Sequence, residues 1–325
     1  MSRSRAAVAL TAGSLFVLAS VFAAAPASAE TLPSGQQITI VDFEDGQFYN
    51  ASPVNADVTP YGTSIVENVA AIDVNDLGQG FALSNEYVEG QAVGSSVHKA
   101  DAKAGTLMDA HGIIVGDVLA RECSAIDLAA AGTVAAICST GDGDGGYLQY
   151  AGLLDPSTGL FTIEVALDNE HYYTALASNP LNGVLYAFSV TQGPAQAWVI
   201  DFAADTSTSL GVELSHHAYG ADFDRDGTLW ITTGVEITQG DDTFLYPALA
   251  TLDLASGAAS VVGLYTTPDA EVVDFAQALT VWGPALAATG SVVDAMPIAL
   301  GALLLLLAGA AFAATSRIAR ARSAA

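Results

Sequence analysis

Basic residues are scarce in this chain. Its 325 residues include nine Lys and Arg against 35 Asp and Glu. Between Glu30 and Thr289 only Lys99, Lys103, Arg121 and Arg225 are basic, against 34 acidic residues, a formal charge of about −30. Such a surface repels nucleic acid and anionic lipid, so no nucleic-acid partner is expected. Cysteine is limited to Cys123 and Cys138. No third or fourth ligand pattern accompanies them, which argues against a zinc site. Helical periodicity is almost absent from the middle of the chain. So are the motifs of common chemistries: no Gly-x-Ser-x-Gly elbow, no His-Glu-x-x-His helix and no phosphate loop occurs. His98, His111 and His171 are scattered, and the adjacent pair His216 and His217 would point to opposite faces of a strand. Carboxylates are so numerous that no two stand out as an acid and base pair. The balance leans away from an enzyme and predicts no cofactor, calcium being the one metal the sequence leaves open.

The two ends carry most of the chain's apolar length. Residues 1–29 begin with Arg3 and Arg5, continue through an apolar run, and end in Ala27-Ser28-Ala29. That order is a secretory signal with a small-residue cleavage site. Residues 295–315 form a second apolar segment of about 20 residues, long enough to cross a bilayer as a helix. Arg317, Arg320 and Arg322 follow it, which keeps the tail cytoplasmic and the bulk of the protein outside. Just ahead of that segment stands Leu286-Ala287-Ala288-Thr289-Gly290. Pentapeptide, apolar helix and basic tail together resemble a sortase sorting signal, in the Leu-Ala-x-Thr-Gly variant of high-GC Gram-positive bacteria. The resemblance implies cleavage between Thr289 and Gly290, then bonding of Thr289 to a cell-wall peptide. Its partners would be sortase and the wall, with the membrane engaged through the helix before processing. The alternative is a single-pass protein that keeps its helix. The expected layout is a signal at 1–29, an extracellular domain at 30–283, a linker and pentapeptide at 284–290, and a helix and tail at 291–325.

The middle consists of short apolar or alternating runs separated by Gly, Asp, Asn and Pro, the pattern of strands and turns. A loose four-strand unit recurs. One copy holds residues 70–84 and 96–111, the next 124–138 and 148–166, the third 175–190 and 197–214, the fourth 219–233 and 248–264. Their first turns lie about 45 to 55 residues apart, and four strands per interval fit a propeller blade. Asn179 to Tyr186, an Asn-Pro-x-x-Gly-x-Leu-Tyr run, and Asp253 to Gly257, an Asp-x-x-x-Gly turn, resemble the blades of a wide group of β-propellers. Residues 275–282 look like the inner strand of one more blade, with residues 37–43 and 63–66 supplying its missing strands. The expectation is an all-β propeller of five or six blades, monomeric, with a β-sandwich as the rival. Cys123 and Cys138 are symmetric about the turn at 129–132. They would face each other across a hairpin, and export permits their disulfide.

Asp222-x-Asp224-x-Asp226-Gly227 has the alternating carboxylates of a calcium loop. The twelfth position is Thr233 rather than Glu, so the full motif fails, and a hairpin turn is the stronger reading. The Asp142 and Asp144 loop and the Gly240-Asp241-Asp242 loop read as solvated connections. Tyr147, Tyr172, Tyr173, Tyr186, Trp198 and Trp230 are expected between blades, a few of them as a sugar or peptide platform. The leading reading is a wall-displayed binding or scaffold propeller with an unknown glycan or protein ligand. A glycan-acting hydrolase or lyase is the alternative. Converging Asp and His side chains at the central channel would favour chemistry; apolar filling would favour a scaffold.

Overall fold

A computed structural model describes residues 32, 35–62, 66–128, 133–141, 147–190, 194–239, 242–269, 271–273 and 276–283. The signal segment, the sorting pentapeptide Leu286 to Gly290, the apolar segment that follows, the turn at 129–132, the loop at 142–146, and Gly240 and Asp241 lie outside the described residues. Among the described residues all regular structure is strand, and no helix is long and apolar enough to cross a membrane.

The chain forms five sheets in sequence. The first contains β1 (Gln37–Asp42), β2 (Phe48–Ala51) and β3 (Val58–Tyr61). The second contains β4 (Val69–Val74), β5 (Gln79–Val88), β6 (Gln91–Asp101) and β7 (Thr106–Gly112). A small hairpin follows, β8 (Ile114–Val115) and β9 (Val118–Leu119), and then the third sheet of β10 (Glu122–Leu128), β11 (Val134–Gly141), β12 (Tyr147–Asp155) and β13 (Leu160–Ala166). The fourth contains β14 (Tyr172–Ser178), β15 (Leu185–Val190), β16 (Ala195–Asp201) and β17 (Thr206–Leu214). The fifth contains β18 (Gly220–Phe223), β19 (Leu229–Gln239), β20 (Asp242–Leu252) and β21 (Ala259–Leu264). The last strand, β22 (Ala276–Trp282), returns to the first sheet and pairs antiparallel with β1, from Gln37 opposite Trp282 to Asp42 opposite Ala276. The first sheet thus takes its innermost strand from the C-terminal end of the domain and its other three from the N-terminal end. Closing the ring this way gives β22 a strand partner in β1 and ties the two ends of the domain into one sheet.

The architecture is a five-bladed β-propeller; among the described residues neither a sixth blade nor a sandwich is formed. The innermost strands β22, β4, β10, β14 and β18 pack side by side around a central axis. Each junction between neighbouring blades holds its own apolar cluster. Leu83 and Val97 meet Ile126 and Phe161 between the second and third blades, and Ile38, Val58 and Val281 meet Trp230 and Leu249 between the fifth and the first. The core is therefore five wedges rather than one centre, each wedge burying the inward faces of two sheets.

The turns explain why the sequence repeats were visible. Asn75 Oδ1 accepts Leu77 N at 2.9 Å, and Asn179 Oδ1 accepts Leu181 N at 2.9 Å. Asp155 and Asp253 do the same for Ser157 N and Ala255 N. In each case a glycine closes the turn with positive φ, from 70° at Gly183 to 78° at Gly78, which only glycine adopts without strain.

The first blade corrects the sequence reading. Its third and fourth strands are β2 and β3, whereas residues 63–66 precede β4; Val66 is not in a strand, and 63–65 lie outside the described residues. Phe48–Ala51 is short and crowded by turn residues, and Val58–Tyr61 carries Pro60. Proline is tolerated there because β3 is the outermost strand, with only one side to pair. The hairpin β8–β9 was likewise not foreseen. It extends the third blade outward by parallel pairing of β8 with β13.

Candidate functional site

The five innermost strands align by position. Ala71-Ile72-Asp73-Val74, Ala125-Ile126-Asp127-Leu128, Ala175-Leu176-Ala177-Ser178, Gly220-Ala221-Asp222-Phe223 and Ala278-Leu279-Thr280-Val281 occupy one place in successive blades. The first residue of each set is small, and together they close the channel to a cavity of about 10 Å³. That is roughly the least space that holds one water. At Gly220 closeness is obligatory: a Cβ there would lie 2.1 Å from Gln277 O on β22. The channel is therefore no conduit, and the two ends of the five strands form separate sites.

At the lower face, where the inner strands end, the third position of the alignment forms a polar ring. Asp73 Oδ2 accepts Leu128 N of the next blade at 2.5 Å. Asp127 accepts Ser178 N at 2.7 Å and Ser178 Oγ at 2.5 Å, again one blade on. Asp222 Oδ2 accepts Val281 N at 2.6 Å, from the closing strand. Thr280 Oγ1 lies 3.1 Å from both Asp73 Oδ1 and Asp222 Oδ2. Where the preceding blade has no carboxylate, at Ala177 and Thr280, the following aspartate turns one oxygen to its own strand. Asp222 Oδ1 accepts Phe223 N, and Asp73 Oδ1 accepts Val74 N, each at 2.7 Å. Burial, and then the charge of Asp127, lifts Asp73 to about 7. Burial, then the charge of Asp73, raises Asp222, and burial raises Asp127. These carboxylates converge at the channel, yet their oxygens are occupied by strand backbone and by the hydroxyls of Ser178 and Thr280. The arrangement staples blades together.

At the upper face, where the inner strands begin, the geometry is open. A pocket of about 510 Å³ is lined by Tyr147, Glu170, His171, Tyr172, His217 and Tyr219, with Gln149, Asp168, Asn169 and Val190 completing it. Its wall is a tight turn. Asp168 Oδ1 accepts His171 Nδ1 at 2.7 Å and the backbone N–H groups of Glu170 and His171 at 3.0 Å, and Oδ2 accepts the Tyr173 hydroxyl at 2.9 Å. Burial alone would raise Asp168, but the His171 and Tyr173 hydrogen bonds hold it below the usual carboxylate range. Trp198 braces the turn from behind, its ring 4.9 Å from His171 and 5.7 Å from Tyr173. Beside the pocket the Tyr87 hydroxyl donates to Glu122 at 3.0 Å, and the Arg121 guanidinium lies 4.5 Å over the Tyr147 ring. Burial, followed by Glu122, raises the Tyr172 phenol above its ordinary value. The hairpins β5–β6 and β19–β20 project on this side and expose Tyr87, Val88, Val93, Phe244 and Leu245.

The residues singled out in the sequence separate accordingly. Cys123 and Cys138 pair across β10 and β11 and form the disulfide. Asp222, Asp224 and Asp226 do not share a centre. Asp222 belongs to the lower ring, and buried Asp224 caps its turn by accepting Asp226 N, Thr228 N and Trp230 Nε1 at 2.9 to 3.1 Å. Asp226 is exposed. Among the described residues no group of three or more His, Cys, Asp or Glu is arranged to hold a metal. Tyr173 and Trp230 are fully buried, Trp198 and Tyr186 pack against neighbouring aromatic rings, and Tyr147 and Tyr172 reach the pocket. Sequence reasoning did not single out Asp73 and Asp127. Their signal was the tripeptide Ala-Ile-Asp, repeated one blade apart.

No protein-family model matches the chain, and no curated protein matches it. Among solved structures it is similar to TolB from Acinetobacter baumannii, at 14% identity and a TM-score of 0.43, over 72% of this chain and 54% of that one. The chain thus spans about half the length of that TolB. It is also similar to the periplasmic gluconolactonase PpgL of Pseudomonas aeruginosa, at 11% identity and a TM-score of 0.42, over 72% and 84% of the two chains. A third is Bacteroides ovatus xyloglucan PUL GH43B, at 14% identity and a TM-score of 0.40, over 75% and 56%.

Proposed function

We propose that this protein is an extracytoplasmic binding propeller that takes a saccharide in the upper-face pocket. The observation that carries the reading is the lining of that pocket. Tyr147, Tyr172, Tyr219, His171 and His217 offer flat rings for the apolar faces of sugar units, and Asn169 and Glu170 offer planar polar groups for hydroxyls. Among the described lining residues there is no Lys or Arg, Arg121 lies beside them over the Tyr147 ring, and the strongly acidic domain disfavours an anionic polymer. The disulfide supports an oxidising compartment outside the cytoplasm. In the same reading the Leu286 to Gly290 signal leads to cleavage after Thr289 and attachment to the wall. Mass spectrometry of wall digests checks this: a mature chain that extends past Gly290 would rule it out.

Calorimetric titration of the saccharides that score on a glycan array tests the binding role. Binding that Tyr172→Ala and Tyr219→Ala each weaken about tenfold supports it, whereas binding that both variants keep at full strength places recognition elsewhere. A hydrolytic reading has one observation behind it, the Asp168–His171 pair at the pocket wall. Release of reducing ends by the wild type, lost in His171→Ala, would favour that reading.

A further inference from the structure

Thr280 stands between two carboxylates with one hydroxyl proton to give. Its Oγ1 is 3.1 Å from Asp73 Oδ1 and 3.1 Å from Asp222 Oδ2, and the residue is fully buried. A hydroxyl donates a single hydrogen bond. Were both acids ionised, one of these contacts would hold two oxygens together with no proton between them. No cation relieves it, for no described ion pair involves Asp73, Asp127 or Asp222. Arg225, on the loop after β18, donates instead to Gly283 O and Asp76 Oδ1.

We propose that Asp73, Thr280 and Asp222 hold one added proton at neutral pH, as a carboxylic acid on one of the two aspartates, and that this proton latches the closing strand β22 between its neighbouring blades. The acid O–H donates to Thr280 Oγ1, and the Thr280 hydroxyl donates to the remaining carboxylate, so both contacts become hydrogen bonds in one chain, the second of them charge-assisted. Asp222 also accepts Val281 N, so β22 is gripped at two adjacent residues. The groups facing the latch are few. β4 brings Asp73 and β10 brings Asp127; β18 brings Asp222; β14 brings only Ala177 and Ser178. The two aspartates titrate as a pair, so the added proton belongs to the set rather than to either residue.

The consequence is a loss of stability with rising pH. An unfolded aspartate ionises near 3.9. Folded Asp73 is lifted to about 7 by burial and the charge of Asp127. The latch contributes fully below about pH 4. Between there and about pH 7 the folded chain keeps a proton that the unfolded chain has released, so the unfolding constant grows by up to about tenfold per pH unit. Above that window the contribution is gone. Asp42, raised to about 6 by burial and Asp45, acts in the same sense. His98, lowered by burial, acts in the opposite sense, because it must be neutral to stay folded.

The test is a carbon-13 NMR titration of aspartate carboxyls in the folded, intact protein, with melts from pH 4 to 8 for wild type, Asp73→Asn and Asp42→Asn. One carboxyl of the set should titrate near neutral pH. Asp73→Asn, whose amide can donate to Thr280 in place of the added proton, should remove the pH dependence between about 6 and 7, and Asp42→Asn should keep it there and lose only a share below about pH 6. The proposal is overturned if the Asp73 and Asp222 carboxyls of the folded wild type are both ionised by pH 5. Should Asp73→Asn fail to fold, the wild-type titration decides alone.

Discussion

The same five inner strands end in two different surfaces. Their lower ends present three aspartates and a threonine, all drawn into bonds between blades. Their upper ends present tyrosines and histidines around an open pocket of about 510 Å³. The two layers lie on either side of a channel closed by four alanines and a glycine. What separates them is where the polar groups point. At the lower face the side chains turn sideways, to the neighbouring strand, and are satisfied by backbone. At the upper face Asp168 is similarly occupied, but it fixes a turn that brings His171 and Tyr172 to the pocket wall. A cluster of acids with raised pKa values in a propeller channel invites a catalytic reading. Here the partners of each oxygen argue for a structural one.

The sharpest way to break this division is to remove a lower-face carboxylate. Asp222→Ala leaves Val281 N without its acceptor at the ring closure and Thr280 with Asp73 as its one carboxylate partner, and should cost about 3 kcal/mol of stability. The expected result in urea unfolding is a lower midpoint with pocket binding unchanged once folded. Replacing both Cys123 and Cys138 by Ser should cost about 2 to 3 kcal/mol, since it frees a hairpin in the unfolded chain. Both losses belong to the scaffold. Tyr172→Ala belongs to the other side: it should weaken saccharide binding about tenfold, or about 1.4 kcal/mol, by removing a stacking ring from the pocket. Tyr173→Phe removes the hydroxyl that holds Asp168 Oδ2 and should cost about 1 kcal/mol, with a smaller effect on binding. Calcium or a chelator should leave the melting temperature unmoved, because Asp222, Asp224 and Asp226 serve different partners; a rise with calcium would reopen the site.

Much of the scaffold was legible because turns announce themselves locally. The side chains of Asn75, Asp155, Asn179 and Asp253 each bond the backbone two residues on, and a glycine follows at the left-handed position. Asn75 and Asn179 hold the first turns of the second and fourth blades, and Asp155 and Asp253 the last turns of the third and fifth, so like turns recur two blades apart. The disulfide was legible for a similar reason, since the register of a hairpin sets its facing pairs. The first blade was harder. Its strands come from opposite ends of the domain, so no repeat unit is contiguous, and β2 and β3 have only four residues each. The lower ring was hidden by a different cause. In β4 all six residues are buried, so Asp73 does not sit in an alternating pattern, and an aspartate beside a turn reads as solvent-facing. Only three-dimensional closure shows that its carboxylate reaches the next blade. The pocket is assembled from the third to fourth blade connection, the start of β12 and the residues before β18, and no local pattern joins those segments.

The division between the two faces is tested most directly by one glycan array run in parallel on wild type, Tyr172→Ala and a lower-face variant, Asp222→Asn. The account predicts the same bound glycans at the same strength for wild type and Asp222→Asn, and a signal for Tyr172→Ala weakened about tenfold. Loss of binding in Asp222→Asn with binding retained in Tyr172→Ala would contradict it and move the functional site to the carboxylate ring.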